Sequence, residues 1–150
     1  MGQITVIYTK RNWNPVSFLI RFCIPRSRFA MALSSHCLIL DGDYLIEASM
    51  TKGTRRVPFA EAMKGLTEVA RVSYEVLDSE AGLEWARTQV GSKYDFKGAF
   101  GLALSPYRDW SEEGSWFCYE LAAATLAKAG KDCFRVTGHI TENVLLAIKP

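Results

Sequence analysis

Cys118 sits where the chain favours a reactive sulfur. The stretch from Gly114 to Gly130 reads as a loop, a helix and a stop, with Ser115 as N-cap, Lys128 in the last turn and Gly130 just past the end. Cys118 then falls in the first turn, where unpaired N–H groups and the positive end of the helix dipole stabilise a thiolate. Cys118, Leu121, Ala122, Thr125 and Ala129 share one face at helical spacing. That face is mostly small, so the helix can lie close against a sheet. Two readings stay open here: a nucleophilic thiol, or an inert buried cysteine, since free Cys is among the most buried residue types.

A second pair of residues supplies a base and something to orient it. Residues 33–40 form an apolar strand carrying His36, Asp41-Gly42-Asp43 is a tight-turn signal, and residues 44–50 form the partner strand carrying Glu47. A two-residue turn at Asp41-Gly42 sets His36 directly opposite Glu47, with Cβ atoms ~5 Å apart. A turn at Gly42-Asp43 makes the two diagonal neighbours on one face, and a three-residue loop would put them on opposite faces. A carboxylate holding one imidazole nitrogen fixes the tautomer and leaves the other nitrogen as base. The bland alternatives are a strand histidine bonded to backbone and a solvent-facing glutamate.

These residues need a scaffold, and 150 residues suffice for one domain, taken as 1–150. Hydrophobic content of 49% with 23% charged residues suits a packed core. No apolar run approaches the ~18 residues of a membrane span. The chain begins directly with Gln3 to Tyr8, a strand pattern without a secretory signal, and its four cysteines show neither CxxC nor zinc spacing. A reduced, cytoplasmic setting is expected. Charge is uneven: Lys10, Arg11, Arg21, Arg26 and Arg28 lie in residues 1–40, and all 16 acidic residues lie beyond. A basic N-terminal third permits peripheral contact with an anionic surface. The charges are scattered with no nucleic-acid motif, so a solvated face is preferred and nucleic acid is not expected as a partner.

In order, residues 3–9 read as a strand and Val16 to Ile24 as a short helix closed by Pro25. The hairpin follows, then a loop at 51–54 and a short strand at 55–57. Pro58 starts a helix over 59–64, ended by Gly65. Residues 67–77 alternate as a strand. Asp78 caps a helix to about Val90, ended by Gly91. Residues 94–104 read as a helix or turn pair, and Ile140 to Ile148 as a short terminal element.

Ser35-His36-Cys37-Leu38-Ile39-Leu40, Leu45-Ile46-Glu47-Ala48, Tyr94-Asp95-Phe96 and Phe117-Cys118-Tyr119-Glu120-Leu121 resemble the permuted papain-like cysteine hydrolases, in the YiiX/YebB-like branch of the NlpC-type cell-wall peptidase superfamily. The resemblance runs from about residue 33 to the C-terminus. It implies an α+β, circularly permuted papain-like fold, with a central antiparallel sheet packed against the helix of the nucleophile. It implies Cys118 as nucleophile, His36 as base and Glu47 as the orienting residue, and it places Tyr94 at the substrate site. Tyr119 departs from the pattern, since members often carry Ser after the nucleophile.

The chemistry so implied is acyl transfer: Cys118 attacks an amide or ester carbonyl, and its backbone N–H meets the oxyanion with Tyr94 as second donor. No cofactor is needed. No metal is expected either, because His36 and Cys37 point to opposite faces of a strand. The expected substrate is a cell-wall peptide amide, as in peptidoglycan fragments handled by a bacterial or phage enzyme. The missing signal peptide then calls for delivery by a phage or a non-classical route. Two other readings compete: a lipid-acting acyltransferase or thioesterase of the lecithin:retinol acyltransferase-like type, and a non-catalytic virion-associated binding domain. Of the two histidines, His36 is preferred over His139, because Lys131 to Pro150 is too short to build a second sheet for the base. Trp13, Trp85, Trp110 and Trp116 read as core or groove wall, Glu112 and Glu113 as a polar loop, and Asp95 as a helix cap.

Overall fold

The computed structural model describes residues 1–11, 25–27, 30–31, 33–97, 114–131 and 140–148. Its centre is a sheet of β1 (Gly2–Lys10), β4 (His36–Asp41), β5 (Tyr44–Ser49), β6 (Gly53–Pro58) and β7 (Thr67–Val76), in the order β6-β5-β4-β1-β7. Every neighbouring pair is antiparallel. Short strands β2 (Pro25–Ser27) and β3 (Ala30–Met31) pair with each other. The helices are α1 (Phe59–Ala62), α2 (Ser79–Thr88), α3 (Cys118–Lys128) and α4 (Glu142–Leu146). The class is α+β, as expected. No helix among the described residues is long and apolar enough to cross a membrane.

Side-chain alternation sorts the core into two layers. Ile4, Val6 and Tyr8 of β1, Cys37 and Ile39 of β4, and Ile46 and Ala48 of β5 pack with Leu121, Ala122 and Leu126 of α3. Ile7, Leu38 and Leu45 face the other way, onto Ala62 of α1. Helix α3 is covered on nearly all sides: Cys118 through Leu126 are all buried. The small side chains of Ala122 and Ala123 let it lie close on the sheet. At Gly82 of α2 a Cβ would come within 2.8 Å of the Ala129 Cβ and the Thr125 carbonyl oxygen, so α2 and α3 approach as only glycine permits.

The turn of the β4–β5 hairpin is Gly42-Asp43, with Gly42 at φ 61°. Asp41 pairs Tyr44, and Leu40 pairs Leu45. This rules out the direct His36–Glu47 opposition and selects the diagonal arrangement. Asp41 is buried and clamped by Arg87 of α2, Nη2 to Oδ1 at 2.6 Å, and by Arg56 of β6 on Oδ2. Both guanidinium groups hold its carboxyl below the usual range: the bond to Arg87 is the largest influence, burial opposes it, and Arg56 adds to it. The turn is thereby tied to both neighbouring elements.

Several boundaries differ from expectation. Ser115 is not an N-cap: Ser115–Trp116 forms β9, paired in parallel with β8 (Lys93–Tyr94), and Phe117 caps α3. The backbone N–H of Phe117 donates to Glu120 Oε2 at 3.4 Å instead. Tyr94 accordingly lies on a short strand, not in a helix, because tertiary pairing with Trp116 overrides the local signal. Helix α1 ends at Ala62 and α2 at Thr88, earlier than expected, while Asp78 caps α2 through Ala81 N–H at 3.1 Å. Strand β4 begins at His36 rather than at residue 33. The expected helix over 16–24, most of the 94–104 segment, Trp13, Trp110, Glu112, Glu113 and His139 lie outside the described residues.

Candidate active site

Cys118 is the first residue of α3, an 11-residue helix that packs across β4 and β5. The sulfur therefore stands at the positive end of the helix, next to the strand carrying the histidine. Two buried free cysteines occur among the described residues, Cys118 at 2% exposure and Cys37 at 1%. Cys23 and Cys133 lie outside them.

His36 is the first residue of β4 and pairs Thr9 of β1. Its Nε2 is 2.6 Å from Glu47 Oε2. Glu47 is 4% exposed, and its other oxygen accepts from Arg55 Nε at 2.7 Å. Arg55 lies directly across from Glu47 in the β5–β6 pairing. A line of alternating charge thus runs from Arg55 through Glu47 to the imidazole. With Nε2 engaged by the carboxylate, Nδ1 is the nitrogen free to exchange a proton with a thiol.

The imidazole and the thiol are near enough for each to stabilise the other's charged form. Burial pushes the His36 pKa down, but interaction with Cys118 and with Glu47 outweighs it and lifts the value to about 10. Burial likewise pushes the Cys118 thiol up, yet contact with Cys37 and with His36 brings it down to about 5. Glu47 is pushed up by burial and pulled lower by His36 and Arg55, with the net direction downward. Over the pH range between the two values, the favoured state is a thiolate–imidazolium pair beside an ionised glutamate.

Cys37 and His36 both interact with Cys118. Alternation had set them on opposite faces, and Cys37 does face α3 with Ile39. His36, the first residue of the strand, interacts with the same sulfur. The Cys37 thiol also donates to the Cys118 carbonyl oxygen at 3.2 Å.

Tyr94 is 7% exposed and stacks edge-on with Phe96 at 5.1 Å and with Phe117 at 6.3 Å. Burial raises its hydroxyl pKa, and negative charge at Cys118 raises it further, so the phenol stays protonated as a donor near the sulfur. Tyr94 also lines a cavity of about 830 Å³ with Thr51, Lys52, Phe96, Gly114 and Ser115. Hydrogen bonds Thr54 N–H to Ser92 O and Gly91 N–H to Thr54 O, both 2.8 Å, tie β6 to the segment entering Tyr94.

The structure brings Cys118, His36, Glu47 and Tyr94 into one region and adds residues the sequence reading passed over. Arg55 is one: the β5–β6 register, set by the short loop at 50–52, puts it on Glu47. Glu142 is another. It is buried at the start of α4 and accepts from the N–H groups of Leu33 at 3.0 Å and Ser34 at 2.7 Å. The Tyr119 hydroxyl bonds Ser34 Oγ at 2.8 Å. Glu142 and Tyr119 together hold the segment that leads into His36. No local pattern marks Glu142, because its partners are over 100 residues away. Among the described residues, no group of three or more His, Cys, Asp or Glu side chains has the geometry to hold a metal ion.

No protein-family model, curated protein or solved structure matches this chain at a significant level.

Proposed function

We propose that the protein is a thiol hydrolase of the permuted papain-like type, cleaving an amide or ester bond through an acyl-enzyme. The observation that carries the reading is the Glu47–His36 hydrogen bond of 2.6 Å beside a thiol at a helix start whose pKa is brought down to about 5. A buried cysteine with only a packing role would have its thiol pushed upward by the same burial.

The steps follow from the geometry. The Cys118 thiolate attacks the carbonyl carbon, and the carbonyl oxygen gathers charge. The Cys118 backbone N–H, in the first turn where amides have no intrahelical partner, donates to that oxygen, and the Tyr94 hydroxyl is the second donor. His36 Nδ1 gives its proton to the leaving amine or alcohol, and Glu47 holds the ring in place as the proton departs. Water, deprotonated by the now neutral imidazole, then attacks the thioester and releases the acid. Arg55 keeps Glu47 ionised throughout. We take the cavity that Tyr94 lines as the side from which substrate approaches.

The resemblance in the His, Glu and Cys segments supports a cell-wall peptide amide as the substrate. The test is incubation with purified peptidoglycan fragments and, separately, with acyl-ester lipids, followed by mass spectrometry of products and of the Cys118 peptide. The expected result is cleaved peptide amide and a Cys118 acyl adduct, both absent in Cys118→Ala. Cleavage of the ester lipids alone would move the substrate to the lipid class. No turnover of either, with no adduct, would overturn the hydrolase reading.

A further inference from the structure

The second cysteine at the site helps to hold the Cys118 thiolate but carries no acyl group or proton in the steps above, and it lies against the first. Cys37 and Cys118 are both free and both buried, at 1% and 2% exposure. The Cys37 sulfur is 3.2 Å from the carbonyl oxygen of Cys118 itself and interacts with the Cys118 sulfur. The two residues belong to elements that pack directly, α3 on β4, so their approach is a property of the core rather than of a mobile loop. We infer that Cys37 is a resolving thiol for Cys118: a hydroperoxide oxidises Cys118, and Cys37 captures the product as an intramolecular disulfide that protects the nucleophile.

The chemistry balances with hydrogen peroxide as the oxidant. The Cys118 thiolate donates an electron pair to one peroxide oxygen, the O–O bond breaks, and the departing hydroxide takes the His36 proton to become water. Cys118 is then a sulfenic acid. The Cys37 sulfur attacks the sulfenic sulfur, the S–O bond breaks, and the hydroxide leaves as water with the Cys37 proton. Two thiols lose two electrons and one peroxide becomes two waters. Bond formation needs the sulfurs to close to about 2.05 Å, and the Cys37 sulfur already lies 3.2 Å from the backbone oxygen of Cys118. Peroxide is scarcely larger than water, so it suits a sulfur this deeply placed. Burial holds the Cys37 thiol protonated, so Cys118 rather than Cys37 is the first to be oxidised.

Without a resolving thiol a sulfenic acid continues to the sulfinic acid, which thiol reagents do not reverse. Cys37 converts that loss into a reversible closure. The inference needs a thiolate at Cys118 but not turnover of any substrate, so its failure is separable from failure of the hydrolase reading.

The experiment treats the 150-residue chain with a several-fold molar excess of hydrogen peroxide, since a sulfinic acid consumes two peroxides per sulfur. Free thiols are then blocked, the protein is digested without reductant, and the peptides are analysed by mass spectrometry. The expected result is a Cys37–Cys118 linked peptide, loss of iodoacetamide labelling at Cys118, and its return after dithiothreitol. In Cys37→Val, which keeps an apolar side chain of similar size in the core, Cys118 should instead gain two oxygens and stay unlabelled after dithiothreitol. Cys37→Ser serves as a second variant should the valine disturb folding, judged by circular dichroism. The inference is overturned by sulfinic acid forming equally fast in wild type and variant, by Cys118 linking to Cys23 or Cys133, or by peroxide leaving Cys118 unmodified.

Discussion

Replacing Glu47 by Gln removes one charge and almost no volume, so it isolates what the carboxylate does to the imidazole. Glu47 Oε2 is 2.6 Å from His36 Nε2, and the side chains are 5% and 19% exposed, so solvent screens the pair weakly. With ~4 Å between charge centres and an effective dielectric of ~20, the attraction is ~4 kcal/mol. The His36 pKa rises from 6.5 to about 10 against opposing burial, with Cys118 and Glu47 both pushing upward. That attraction sets an upper bound of ~3 pH units on what Glu47 adds to the imidazolium's stability. The sign follows: a raised imidazole pKa keeps the cation until pH passes about 10, and losing the carboxylate brings that limit down. The thiolate end behaves differently, because Glu47 acts on it only through the ring.

The assay is the rate of iodoacetamide alkylation at Cys118 across pH, with far-ultraviolet thiolate absorbance in parallel. Wild type should show a first rise near pH 5, as the thiolate forms beside the imidazolium, and a second near pH 10, as the imidazolium is lost. In Glu47→Gln the second rise should move to lower pH, by up to ~3 units, while the first stays in place. A second rise that does not move would refute the carboxylate's role. A wild-type thiol that first titrates near the ordinary ~8.5 would refute the ion pair altogether.

The remaining predictions are these. Among the four cysteines, Cys118 should be labelled first near neutral pH, and small reagents should outpace bulky maleimides because the residue is only 2% exposed; peptide mapping reads both. His36→Ala should abolish turnover and return the Cys118 thiol toward ~8.5, whereas His139→Ala should change neither. Glu142→Gln should cost ~1–3 kcal/mol in denaturant unfolding by weakening charge-assisted bonds to the Leu33 and Ser34 amides, and should speed amide hydrogen exchange at Ser34. Gly82→Ala should destabilise by ~1–3 kcal/mol, because the added methyl meets Ala129 and the Thr125 carbonyl at 2.8 Å.

Elements whose signals are local can be read from the chain alone. Alternation marks β1 and β7 over nearly their observed lengths, Asp78 marks the start of α2, and Gly130 at φ 86° marks the end of α3. His36 and Glu47 were legible as partners because a strand's period of two puts them on one face for either two-residue turn. Features that depend on register or on distant chain emerge only when the elements pack together. The turn fell at Gly42-Asp43, where Arg87 and Arg56 clamp Asp41, so the histidine and glutamate meet on the diagonal. Ser115, a sound cap in isolation, became a strand residue because Lys93 was there to pair with it. Arg55 reached Glu47 through a register, and Glu142 reached the His36 approach across the length of the chain. Alternation argued against Cys37 and His36 sharing a site, yet both interact with Cys118. Alternation constrains directions within a strand, and His36 stands at its end, where packing of α3 against the sheet sets what is near what.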